Sequence, residues 1–191
     1  VADVTRLREF VRSFTRLVDE NPGEERIFTD GRALLEDLVT HDDWLPEAFA
    51  KAHPDRYQQF LLYCDPLERF SVASFVWGPG QTTPVHDHTV WGMVGVLRGA
   101  ELCEEFRVGE SGEVVAAGSH RIRPGAIDLV SPRVGDVHRV SNALADAPSI
   151  SIHVYGANIG AVKRHVYDAP GGAARTFVSG YSSDVLPNIW A

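Results

Sequence analysis

Between Val4 and Val18 the apolar residues Val4, Leu7, Phe10, Val11, Phe14, Leu17 and Val18 recur at three- and four-residue steps. That spacing lays one apolar stripe along a helix, so it predicts an amphipathic α-helix, which Asn21-Pro22-Gly23 ends. Two further helical stretches are expected, over 31–39 and over 44–52, the second stopped by His53-Pro54. From Phe70 onward the texture changes. Short runs rich in Val, Ile, Phe and Trp follow at 70–77, 90–97, 100–108, 113–117, 126–130, 138–142 and 149–155, and Gly, Pro or Asp breaks nearly every junction. Many short strands with frequent turns predict a mainly β sandwich or barrel. The helical cap is expected over about 1–55, the barrel over about 56–167, and an extended wrap rich in Gly, Ala and Ser over 168–191.

Composition narrows this picture. A chain of 191 residues with 44% hydrophobic and 23% charged residues suits one domain with a sizeable core. Its 18 Lys and Arg against 26 Asp and Glu give a net charge of -8, with no basic cluster to follow a phosphate backbone or an anionic membrane. Neither nucleic acid nor a bilayer is expected as a partner. No apolar run reaches spanning length, and the opening residues mix Arg, Asp and Glu with hydrophobics, unlike a signal peptide, so a cytoplasmic location is expected. The two cysteines, Cys64 and Cys103, form no CxxC pair and no disulfide framework; both are expected to be reduced and buried.

The candidate chemistry sits in GQTTPVHDHTVWGMVGVLRG, which begins at Gly80 and carries His86-Asp87-His88. On a strand, residues two apart share a face, so His86 and His88 are expected to project together into the interior while Asp87 points away. Two imidazoles in one interior site are candidate metal ligands. The order Gly80, His86, His88, Gly92, Gly99 resembles the first motif of the cupin superfamily, and Gly125, Pro132, Gly135, His138, Asn142 its second. This resemblance implies a jelly-roll-like cupin β-barrel with His138 as third ligand. It also places on Gly92 the position where cupins usually carry a glutamate ligand. Three neutral imidazoles leave a divalent ion its full charge, favouring anionic exogenous ligands, and a facial set of three leaves room for a bidentate substrate and dioxygen. Imidazole alone does not choose among Fe, Cu, Ni and Zn.

Over about residues 55–182 the chain resembles the cysteine dioxygenase family of cupin thiol dioxygenases. HDHT at His86 to Thr89 carries the ligand motif, and SISIHVYG places Ser151, His153 and Tyr155 on one face of a strand. The resemblance implies mononuclear Fe(II), a small thiol and O2 as substrates, and a Ser-His-Tyr hydrogen-bonded chain that brings the tyrosine hydroxyl beside the iron. Oxidation of a thiolate to a sulfinate releases four electrons and one dioxygen accepts four, which agrees with a chain lacking any GxGxxG fingerprint. Two departures from the animal-type enzymes stand out. Gly92 matches the cysteine that there cross-links to the tyrosine, so Tyr155 is expected to be unmodified. The carboxylate-binding arginine of those enzymes is replaced in RYQQFLLYCDP by Gln59, or by Gln58 if the match shifts by one. This pattern resembles bacterial members that prefer 3-mercaptopropionate and take their carboxylate partner from further along, where Arg164 stands. The expected substrate is therefore 3-mercaptopropionate, with L-cysteine next; the alternative is a cupin that binds metal or a small acid as a sensor without turnover.

Overall fold

The computed structural model describes residues 3–168 and 174–190. Helix α1 (Thr5–Asp19) buries Leu7, Phe10, Val11, Phe14 and Leu17, the stripe expected from the sequence. Its continuation begins earlier than expected. Helix α2 (Glu24–Arg26) runs through a wide turn at Ile27–Gly31 into α3 (Arg32–Val39). Gly31 is required there, because a Cβ would lie 2.8 Å from the ring of Phe14. The helix expected over 44–52 is absent: only a single tight turn, Glu47–Phe49, forms. Pro46 disfavours helical backbone at Leu45, and Pro46 itself is extended (φ -64°, ψ 141°). Trp44 is nonetheless buried, its indole donating to Leu38 O at 3.0 Å.

Eleven strands follow among the described residues: β1 (Gln58–Cys64), β2 (Ser71–Trp77), β3 (Val85–His86), β4 (Gly92–Arg98), β5 (Glu101–Val108), β6 (Val114–Ile122), β7 (Ile127–Val130), β8 (Val137–Asn142), β9 (Ser149–Tyr155), β10 (Arg164–Tyr167) and β11 (Ala174–Phe177). They form two antiparallel sheets, β1-β2-β9-β4-β7 and β11-β10-β3-β8-β5-β6, in a jelly-roll-like arrangement rather than one closed barrel wall. Strands β1, β10 and β11 carry little alternation and escape the pattern. Strand β6 runs to Ile122, beyond the expected end at 117; most of its side chains are exposed, and its ladder to β5 holds it. The expected wrap lies partly outside the described residues, at 169–173 and 191. Its described part supplies β11, then hydrogen-bonds Ser182 to Gln59 and seats Ile189 in the helical core.

The five-stranded sheet is covered on both faces, which decides how the site is built. Ile150, Ile152 and Val154 of β9 pack with α1 and α3 in the larger core cluster. Ser149, Ser151, His153 and Tyr155, at the alternate positions, therefore face the interior between the sheets. Every residue of β9 and β2 is buried for this reason. Burial of the apolar face under the helices contributes about 1.5–3 kcal/mol for each large side chain, and it holds the polar face in register.

Candidate metal centre and its cavity

His86 on β3 pairs directly with His138 on β8, so the ladder itself brings these two rings together. His88 arrives differently. Strand β3 ends at His86, and His88 lies beyond it, its backbone N–H donating to Asp136 Oδ1 at 3.1 Å. Asp87 is buried on the other side, where it accepts hydrogen bonds from the His165 N–H at 2.7 Å and the Tyr167 hydroxyl at 2.9 Å. The three rings have centroids 4.8 to 4.9 Å apart, and one nitrogen from each lies within 4.8 Å of the others.

Each ring is oriented through Nδ1: His86 against Pro84 O at 3.0 Å, His88 against Asp136 Oδ1 at 3.0 Å, and His138 against Cys103 Sγ at 3.6 Å. With the Nδ1 atoms so engaged, Nε2 is left for a metal, and the buried Nε2 of His88 has no hydrogen-bond partner among the described residues. Burial and the neighbouring imidazoles hold His138 well below the usual histidine range and His86 down to about 3, so both rings are neutral, the form that ligates. A buried, orphaned imidazole nitrogen within a set of three fits a divalent ion.

Ser151 Oγ lies 2.8 Å from His153 Nε2, and His153 Nδ1 lies 2.8 Å from the Tyr155 hydroxyl. Phe75 stacks on His153 at 4.0 Å, and the Trp77 indole donates to Ser151 Oγ at 3.4 Å. Burial, slightly offset by the charge of Arg164, pushes the Tyr155 phenol well above its ordinary value and keeps it protonated; burial likewise keeps His153 neutral. The imidazole can donate to either neighbour, so the tyrosine proton points to His153 or is free for the cavity according to the tautomer. Tyr155 stacks beside His88 at 5.4 Å. Gly92 pairs with Tyr155 across the sheet, and a Cβ at position 92 would come within 2.6 Å of its ring. The small residue here is thus what lets this ring lie flat against β4.

A cavity of about 160 Å³ opens beside these groups, walled by Tyr57, Phe75, Trp77, His86, His138 and Tyr155, with Gln59, Arg164 and Phe177 also in its lining. Arg164 is only 3% exposed; its Nη2 donates to Ser179 Oγ at 2.6 Å, its Cζ lies 4.7 Å over the Phe177 ring, and its Nε has no partner among the described residues. It makes no salt bridge among the described residues. Gln59 lines the cavity and Gln58 does not; the buried Gln59 Nε2 is also without a partner among the described residues. The cavity walls Tyr57, Phe75 and Trp77 and the ring-orienting Asp136 carry no signal of that role in the sequence beyond, for Asp136, its place two residues before His138, and Cys103 was expected only to be reduced and buried. Cys64, expected to be buried, is half-buried, whereas Cys103 is buried.

The chain matches the family model for cysteine dioxygenase type I over residues 37–169. Among solved structures it is similar to a protein of Thermus thermophilus (22% identity, 58% of this chain and 92% of that one, TM-score 0.43). It is also similar to a Klebsiella pneumoniae protein with a double-stranded β-helix domain (14% identity, 71% and 96%, TM-score 0.46). A third similarity is to oxalate oxidase complexed with the substrate analogue glycolate (18% identity, 56% and 55%, TM-score 0.45). No described helix is long and apolar enough to cross a membrane.

Proposed function

We propose that this chain, which belongs to the cysteine dioxygenase type I family and so to the thiol dioxygenases, converts 3-mercaptopropionate to its sulfinate with O2, with L-cysteine the second choice. His86, His88 and His138 would hold Fe(II). When bound, iron would supply the open coordination positions that bring a thiolate and dioxygen together, the four electrons coming from the sulfur itself. The observation that supports the substrate class is Arg164, a buried guanidinium without a carboxylate partner among the described residues, in the wall of a cavity that His86 and His138 also line. A buried cation is costly unless paired, so this site favours an anionic occupant.

A guanidinium offers a carboxylate two parallel hydrogen bonds, which would orient the thiol toward the histidines. The neutral amide of Gln59 donates one bond from its orphaned Nε2 and adds no second positive charge. The space, about five times a water's share of roughly 30 Å³, admits a small thiol acid. Phe75, Trp77 and Tyr57 exclude water from its walls, which strengthens the ionic contact. Tyr155 donates its hydroxyl hydrogen into the cavity when His153 holds its own proton on Nδ1. Ser151 then donates to His153 Nε2, so the three side chains can pass a proton inward without ionising Tyr155.

Oxygen consumption by the Fe(II)-loaded protein with 3-mercaptopropionate, L-cysteine and cysteamine tests this reading. The expected order of kcat/KM places 3-mercaptopropionate first. A preference for L-cysteine would overturn the substrate assignment, and no uptake with any thiol by iron-replete protein would overturn the activity.

A further inference from the structure

A second cavity, of about 190 Å³, also has His138 in its wall and shares no other lining residue with the first. Its wall brings together Cys103 and Glu105 of β5, His120 of β6 and Asp128 of β7. Cys103 and His120 are ladder partners, and Glu105 follows on the same face of β5. Cys103 Sγ, a ring nitrogen of His120 and a carboxylate oxygen of Asp128 all lie within 4.8 Å of one another. His120 is held from both sides, Nε2 at 2.6 Å from Asp128 Oδ2 and Nδ1 at 3.3 Å from Glu105 Oε1. Neither carboxylate forms a salt bridge with Lys or Arg among the described residues. His120 is partly exposed, so ions in solution can reach the cluster.

We propose that Cys103, His120 and Asp128, with Glu105 alongside, form a second metal site for a thiophilic divalent cation such as Zn(II), separate from the three-histidine centre. The donor set decides the class of metal. One sulfur, one imidazole and one or two carboxylates within a few ångströms suit a four-coordinate Zn(II)-like ion, whereas Mg(II) and Ca(II) take all-oxygen sets. The carboxylates of Asp128 and Glu105 place negative charge around this point, which attracts a cation, and a bound cation stabilises the thiolate form of its sulfur ligand. Binding exchanges the thiol proton and any proton shared between His120 and Asp128 for the metal, and both leave to solvent; no oxidant or reductant takes part. Cys103 also faces His138 Nδ1, so the two sites meet at one sulfur.

The test is an anaerobic titration of the iron-loaded protein with Co(II), which reports sulfur ligation by a near-ultraviolet thiolate-to-cobalt band. The expected result is one equivalent carrying that band, displaced by Zn(II). The three-histidine set contains no sulfur, so cobalt exchanging into it would give no such band. Cys103→Ser, nearly isosteric, is expected to abolish the band. Asp128→Asn and His120→Ala, both outside the histidine centre, are expected to weaken binding by roughly tenfold or more while iron content stays unchanged. Absence of a thiolate band in the parent protein, or a band that survives Cys103→Ser, would overturn the proposal. Iron content and thiol turnover are read separately, so failure of the dioxygenase reading would be visible as such.

Discussion

Among the described residues the Tyr155 hydroxyl makes one hydrogen bond to a side chain, to His153, and its removal isolates what the buried chain of three contributes. Tyr155→Phe keeps the ring that packs on Gly92 and His88, so fold and iron content are expected to hold while turnover falls roughly 10- to 1000-fold. Stopped assays alongside metal analysis check both halves. Mass spectrometry of the parent protein is expected to show no loss of two hydrogens at Tyr155, because Gly92 has no sulfur to offer. Arg164→Ala is expected to raise KM for 3-mercaptopropionate by about 10- to 150-fold, the worth of a charged hydrogen bond, and to leave cysteamine, which has no carboxylate, far less affected. Equal losses on both thiols would assign Arg164 to the support of β10 and β11 instead. Gln59→Arg is expected to narrow the preference for 3-mercaptopropionate over cysteine, since it brings a second guanidinium to the same cavity wall.

At the scale of elements, the centre is assembled from one ladder and one loop. His86 and His138 are placed by the pairing of β3 with β8, but His88 depends on Asp136, which accepts hydrogen bonds from its backbone, its ring and the backbone of Thr89. Asp136→Ala is therefore expected to lower iron affinity about 10- to 100-fold while leaving all three histidines present. His138→Ala is expected to abolish retention. Iron content after dialysis against a mild chelator separates the two. The alternation of β9 made Ser151, His153 and Tyr155 legible as a set. The placement of Asp136 was not, because a loop residue acquires its partner from a distant segment. The absence of a helix over 44–52 is legible in the sequence as Pro46, whose constraint on Leu45 outranks the apolar content around it.

Over the whole molecule, Glu101 is a fully buried acid at the interior end of β5, near Ser149, Ser151 and Trp77. Burial, partly offset by those three polar neighbours, raises its carboxyl to about 8 from an ordinary 4.5, and neither carboxyl oxygen has a hydrogen-bond partner among the described residues. The folded state therefore binds this proton more tightly than the unfolded chain does. Its contribution is fully present below about 4.5 and is lost as pH rises toward 8, at up to roughly 1.4 kcal/mol per pH unit. Glu101→Gln, which cannot ionise, is expected to flatten this decline, so that the variant gains relative to the parent protein between pH 5 and 8. Urea midpoints measured across that range check it, and parallel curves for the two proteins would mean that Glu101 is not the group responsible.

Apolar period and turn residues by themselves determined the helical stripe of α1, most of the strands and hence the class of fold, because those signals are local and repeat along each element. The spacing of His86, His88 and His138, together with the alternation around His153, also pointed to the centre and its hydrogen-bonded chain. Only the tertiary structure decided which face of each strand lies under the helices, that Gln59 rather than Gln58 meets the cavity, and that Arg164 is buried rather than solvated. It alone brought Cys103, His120 and Asp128 to one point. These outcomes depend on how two sheets face each other, and pairing between residues far apart in the chain leaves no period in the sequence.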